Sequence, residues 1–160
     1  MPTHAEKRVL PYSPRQLYDL VVDIERYPEF LPWCLAARIR RRQGNVIHAD
    51  MVIGYRMIRE RFTSRVELDD ANMRIDVSYM HGPFKYLNNH WIFYEHPEGC
   101  LLDFYVDFEF RSRLLQRMIQ TLFNEAVRRM VSAFEARARE LYGRPGRGAK
   151  EKARAAGSRA

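Results

Sequence analysis

The sequence predicts an α+β domain in which a curved antiparallel sheet of about seven strands wraps around one long C-terminal helix. Three observations predict it. From Leu35 to Phe110 apolar residues recur with period two in short runs separated by turn signals, the mark of half-buried strands. The connections are too short for parallel crossovers, so the strands form an antiparallel meander with one wet face and one covered face. From about Ser112 to Leu141 there is no Pro or Gly. Over that stretch Leu114, Leu115, Met118, Ile119, Leu122, Phe123, Ala126, Val127, Met130, Val131, Phe134, Ala138 and Leu141 recur at helical spacing. At 1.5 Å per residue this helix is roughly 45 Å long. Its apolar stripe is too broad for one flat contact, and a sheet curling around it uses that breadth.

Thr3 to Leu10 reads as a first strand. Ser13 suits a helix N-cap and Pro14 the first helical position, with Leu17, Leu20, Val21 and Ile24 following at helical spacing. Pro28 and Pro32 then interrupt Tyr27–Trp33, which predicts a broken helix or a structured loop. Leu35, Ala37 and Ile39 alternate with Arg38, Arg40 and Arg42, and Gly44-Asn45 signals a turn. Ile47, Ala49, Met51 and Ile53 line one face of the next strand, with a bend marked at Gly54. Ile58, Phe62 and Val66 continue on a long strand ending before Asp69-Asp70. Met73, Ile75, Val77 and Tyr79 share a face, as do Leu87, Asn89, Trp91 and Phe93. Leu102, Phe104, Val106, Phe108 and Phe110 make the clearest strand. Gly143 and Pro145 stop the final helix.

With 160 residues, 46% hydrophobic and 12% aromatic, the chain is one globular domain with enough length to bury a core. Cys34 and Cys100 are far apart and form no C-x-x-C motif, so neither a disulfide framework nor a zinc site is expected, and a reducing compartment fits. No uncharged apolar run approaches 18 residues, so no spanning helix is expected, and the N-terminus has the features of neither a signal nor a transit peptide. A cytoplasmic protein is expected, with any membrane contact peripheral, at the inner membrane. Arg144, Arg147, Lys150, Lys152, Arg154 and Arg159 face only Glu151 in the last seventeen residues, which places five of the seven net positive charges there. Residues 1–143 are thus expected to form the ligand-binding domain and residues 144–160 a disordered basic tail. That tail reads as a solvated end or as a polybasic patch for anionic lipid or RNA.

A helix lying across a curled sheet leaves space where the sheet bends away, and small apolar ligands bind in such concave cavities. Phe30, Leu31, Trp33 and Phe84 fall in segments that are usually polar, so they are expected to fold inward or to form a contact rim. The catalytic search is empty. His4, His48, His81, His90 and His96 make no metal pattern, and there is no G-x-S-x-G, P-loop or G-x-G-x-x-G. Asp103, Asp107 and Glu109 read as solvated carboxylates on the outer face of their strand. Cys34 lacks any visible activating base. Arg38, Arg40, Arg41 and Arg42 read as an exposed strand face or as a surface for phosphate or an acidic partner.

The segment Val22-Asp23-Ile24-Glu25-Arg26-Tyr27-Pro28-Glu29-Phe30-Leu31-Pro32-Trp33-Cys34 resembles the signature of the coenzyme Q-binding, polyketide cyclase-like family of the START superfamily. Gly82-Pro83-Phe84-Lys85-Tyr86-Leu87 with Trp91, and Val106-Asp107-Phe108-Glu109-Phe110-Arg111-Ser112 with Leu114-Leu115, are similar to two further blocks. The resemblance covers about residues 3 to 142. It implies a START/Bet v 1-like helix-grip fold and a ubiquinone held between sheet and helix by a binding or chaperone-like protein that supports respiration. Neither a resident cofactor nor enzymatic activity is implied, and membrane or respiratory complexes would be peripheral partners. Tyr27, Phe30, Leu31, Trp33, Phe84, Leu87, Trp91 and Phe108 are the expected wall or rim, with Lys85 steering a quinone oxygen or an anionic headgroup. The same family includes ribosome association toxins, so a regulator that binds the large ribosomal subunit is the alternative function. A cyclase-like enzyme on the same fold is the other. The absence of a transit peptide favours a bacterial member.

Overall fold

The computed structural model describes residues 3–55 and 58–143; the basic tail expected over 144–160 lies outside them. In chain order the elements are β1 (Thr3–Leu10), α1 (Pro14–Val22), a 3-10 turn (Ile24–Glu29), β2 (Cys34–Gln43), β3 (Val46–Tyr55), β4 (Ile58–Asp69), β5 (Arg74–His81), β6 (Phe84–His96), β7 (Gly99–Phe110) and α2 (Arg113–Tyr142). All seven strands form one curved antiparallel sheet in the order β1-β7-β6-β5-β4-β3-β2. β2 to β7 are the expected meander. β1 closes against β7, with Thr3 opposite Asp107 and Leu10 opposite Cys100.

Local chemistry fixes the helix ends. Ser13 and Gln16 form a reciprocal capping box at the start of α1, with Pro14 in the first turn. At α2 the Ser112 hydroxyl accepts from the Leu115 N–H, and the Gln116 carbonyl oxygen takes the Phe110 N–H at 2.8 Å. The second bond turns the chain from β7 into the helix. The C-terminal half of α2 is clamped from several sides. Arg8 pairs with Glu135 at 2.9 Å, Tyr12 donates to the Gly143 carbonyl, and Tyr142 donates to the Gln16 carbonyl.

Four sequence expectations shift. Leu35 is 47% exposed and does not share the face of Ala37 and Ile39, because a bulge between Cys34 and Ala36 offsets the alternation. Its side chain lies over Gly54, where an added Cβ would sit 2.9 Å from Leu35 Cδ1. That close approach, rather than a bend, explains the glycine. Met73 stands before β5 in a turn, with φ of 50°. Leu114 and Leu141 lie at the two ends of α2 and are exposed, because the sheet does not reach them.

Gly99 opens β7 at φ +137°, and a Cβ there would lie 2.4 Å from the Leu10 carbonyl oxygen and 2.8 Å from both the N and O of Tyr12. The β6–β7 turn thus presses directly on the β1–α1 junction.

Candidate functional site, an apolar cavity under the long helix

Between the concave face of the sheet and α2 lies a cavity of about 230 Å³. Its floor comes from the inward positions of β3 to β7, its roof from Ile119, Phe123, Ala126, Val127, Met130 and Phe134 of α2, and one end from Val21, Ile24, Tyr27, Leu31 and Trp33. Strand alternation places these side chains. Met51 is opposite Phe62, Ile75 opposite Trp91, and Leu87 opposite Phe108, so each cross-strand pair aims at the same interior.

Seven of the nine residues singled out in the sequence line this space: Tyr27, Leu31, Trp33, Phe84, Leu87, Trp91 and Phe108. Phe84 is 3% exposed and packs among Phe62, Tyr79, Phe108 and Phe110 at ring separations of 4.8–5.6 Å. Phe30 stands one layer back. It packs on Tyr27 and Phe134, at 6.0 and 5.1 Å, and carries the Arg137 guanidinium over its ring. Lys85 is exposed on the outside, 3.3 Å from Glu109, and does not reach the cavity.

The interior polar groups are few. Asn89 accepts from the Trp91 indole N–H at 2.9 Å and donates to the Tyr105 carbonyl at 2.7 Å, which leaves one amide hydrogen and one acceptor position to spare. Ser64 of β4 also lines the cavity. The Trp33 indole N–H is buried without a hydrogen-bond partner among the described residues. Tyr27 donates its hydroxyl proton to the Val21 carbonyl, and burial raises its pKa. Tyr27 is the one titratable side chain among the described lining residues, so these residues supply no acid–base pair. Among the described residues no cluster of His, Cys, Asp or Glu can hold a metal ion.

Sequence reading passed over Arg137. It is almost buried and sits on the apolar side of α2, where it donates to Glu29 at 3.0 Å and lies 3.6 Å from Glu140. Its Nε has no hydrogen-bond partner among the described residues. The pair ties the 3-10 turn, and with it Tyr27 and Phe30, to the helix. Glu29→Ala leaves a buried cation with its weaker partner only, and is expected to cost about 1–3 kcal/mol in urea unfolding.

Both cysteines are free and buried. Desolvation pushes the thiol of Cys34 up to about 11 and that of Cys100 up to about 12. A folded-state pKa above the ordinary value near 9 means that the native state holds these protons more tightly. The resulting stability is intact below pH 9 and is lost as pH rises toward 11–12. Thermal melts are expected to fall across pH 9–11, and a Cys34→Ala/Cys100→Ala variant to flatten that fall. Thiol labelling at pH 8 is expected only in denaturant.

The model of the family described as polyketide cyclase/dehydrase and lipid transport matches residues 10–135. The chain belongs to this family. Its relatives include the ribosome association toxin RatA of Rickettsia prowazekii, 39% identical over 84% of this chain and 94% of that protein. The mitochondrial coenzyme Q-binding protein COQ10 homolog B of Xenopus laevis is 33% identical over 88% of this chain and 59% of its own length. Among solved structures, an 18 kDa protein from Caulobacter crescentus is 38% identical, with a TM-score of 0.75 over 90% of this chain and all of its own. An aromatase/cyclase from a Streptomyces species superposes at TM-score 0.77, with 13% identity, over 88% of this chain and 95% of that one, which shows the shared fold alone. The helix-grip fold and the family resemblance read from the sequence are therefore both found. Among the described residues no helix is long and apolar enough to cross a membrane.

Proposed function

We propose that this protein is a non-catalytic binder of an apolar ligand, and that the ligand is an isoprenoid quinone of the ubiquinone type carried in support of respiratory electron transport. The observation that carries the reading is the 230 Å³ cavity with an almost wholly apolar wall. An unfilled apolar void costs about 24 cal/mol per Å³ relative to a packed core. On that scale a ligand that fills this one recovers on the order of 5 kcal/mol. The volume is a little below the roughly 300–1,000 Å³ of sites for drug-sized ligands. It suits a quinone ring with the first part of its prenyl tail, the remainder extending past the Tyr27–Trp33 segment. Each Å² of tail shielded from water contributes about 25 cal/mol. The Trp33 indole N–H and the spare Asn89 amide hydrogen are donors for the quinone oxygens. Lys85, on the outer surface, has no part in this. A cavity with no acid–base pair supports binding rather than turnover.

The test is organic extraction of the purified protein, followed by mass spectrometry and by titration with a short-chain quinone. Co-purified quinone, or saturable uptake that raises the melting temperature, is expected. Neither being found would sink the reading. A Val77→Phe/Ala126→Phe variant, which places two rings in the cavity, is expected to abolish uptake while leaving the protein folded; circular dichroism checks the second point.

A second reading has its own support. The Rickettsia relative is named for ribosome association and aligns along 94% of its length. Under this reading the protein binds a ribosomal subunit, and binding weakens steeply with salt. Cosedimentation across a salt series tests it.

A further inference from the structure

The outer face of β2, β3 and β4 takes no part in the cavity, yet it concentrates positive charge. Pairing across the three strands sets which side chains point outward. Ala49 and Met51, opposite Ser64 and Phe62, face inward, so their neighbours face out. Arg38 and Arg41 project from β2, His48 and Asp50 from β3, and Arg59, Arg61 and Arg65 from β4. One rung runs Arg41–His48–Arg65 across strands about 4.8 Å apart.

The acids on this face do not balance it. Asp50 takes the Thr63 hydroxyl at 2.6 Å and stands 3.7 Å from Arg40, and Glu67 pairs with Arg65 at 3.1 Å. Arg38, Arg59 and Arg61 are exposed and have no ion-pair partner among the described residues. The opposite half of the same outer surface is mixed in sign. There Asp103, Asp107 and Glu109 point outward from β7, with Lys7 across from Asp103 and Lys85 3.3 Å from Glu109. β5 lies between the halves, its Arg74 neutralised by Asp76 at 2.7 Å. The uncompensated positive charge of this surface therefore lies on β2–β4, where it attracts a polyanion.

We propose that the outer face of β2–β4 docks the phosphate backbone of double-stranded RNA, an inference that rests on the ribosome-association reading. The chemistry selects the duplex. Single-stranded RNA is held by stacking its bases on aromatic side chains, and the outward positions from Val46 to Gly54 and from Arg59 to Glu67 include no Phe, Tyr or Trp. A duplex presents fixed rows of phosphates and is read by shape and backbone. Guanidinium groups on a rigid sheet match that demand without any need for base contacts.

The experiment uses the full chain, a labelled 20-base-pair RNA of arbitrary sequence, purified large ribosomal subunits, and phosphatidylserine/phosphatidylcholine vesicles. Arg38→Gln/Arg59→Gln/Arg61→Gln is compared with Arg113→Gln/Arg117→Gln/Arg128→Gln, which removes the same charge from exposed positions of α2. Melting temperatures confirm that both variants fold. The face variant is expected to bind duplex and subunits about tenfold or more weakly, and its log–log salt slope to fall by roughly 2–3. The helix variant is expected to stay within about twofold of wild type. Equal losses in both variants would overturn the proposal in favour of diffuse charge. Wild-type affinity of the face variant for subunits and duplex would exclude this face while leaving ribosome association intact. A wild-type protein that binds neither would remove both. If the face variant loses vesicles but not duplex, the surface belongs to lipid and the proposal fails.

Discussion

Phe134→Ala is expected to lower stability by about 3–5 kcal/mol, and the melting temperature by roughly 10 °C or more. The ring is 8% exposed and stands where three aromatic neighbours converge: Tyr27 at 5.5 Å, Phe30 at 5.1 Å and Trp91 at 5.1 Å, all edge-on. Its removal takes the packing partner from the 3-10 turn, from β6 and from the Phe30–Arg137 stack at once. It has a second effect. A small void of about 20 Å³ lies beyond the main cavity, and Val21, Trp91 and Phe134 line both. Deleting the ring opens one into the other. The variant is therefore expected to take up a bulkier apolar ligand than wild type does, with the urea midpoint moving in the opposite direction to capacity. A loss below about 1 kcal/mol would mean that the ring is not held as described.

Gly99→Ala is expected to be at least as damaging, with soluble protein largely lost or stability reduced by more than about 3 kcal/mol. Two separate penalties combine. A non-glycine residue at φ +137° is strained by about 1–3 kcal/mol. The new methyl also meets backbone atoms of Leu10 and Tyr12 at 2.4–2.8 Å, and backbone at the β1–α1 junction cannot step aside as a side-chain tip can. Gly44→Ala is the internal control. That glycine also has positive φ, +59°, but a Cβ there meets nothing within 4 Å, so only a conformational cost of about 1 kcal/mol is expected. Side-by-side urea titrations separate strain from collision. Similar losses at both sites would show that the close approach at Gly99 carries no weight.

The sheet order was legible from β2 to β7 because most of these strands show period-two alternation and the turns after β2, β4, β5 and β6 carry Gly, Asn or Asp. α2 was legible because thirty residues of helical period leave no other choice. β1 was harder to place. Its inward positions are His4, Glu6 and Arg8, opposite Val106, Phe104 and Leu102, so its pattern shows no apolar face until Leu10, and nothing local names β7 as its partner. The Leu35 error has a similar origin. A bulge inserts one residue without a composition signal, and every side chain before it changes sides. In the cavity, aromatic residues in otherwise polar segments were a sound guide, whereas charge was not. Lys85 looked like a headgroup contact, yet the polar groups inside are uncharged: the Asn89 amide, the Trp33 and Trp91 indoles, and the Ser64 and Tyr27 hydroxyls. Arg137 did leave a trace: it stands three residues after Phe134 and six after Val131, on the stripe reserved for apolar side chains. A cation at that spacing signals either a ligand or an internal partner, and here Glu29 supplies the partner.

The seam between β1 and β7 has a consequence for how the molecule is made. Thr3 meets Asp107, 104 residues later, so β1 must wait until β7 has been synthesised before it can pair. The hairpins of β2 to β6 form locally in the meantime, with the leading strand trailing unpaired beside them. Closing so long a loop slows folding. It also prolongs the interval in which bare strand edges can meet a neighbouring nascent copy. Joining the present termini and reopening the chain between β1 and α1 would place that strand after α2 and is expected to change the folding rate far more than the final stability.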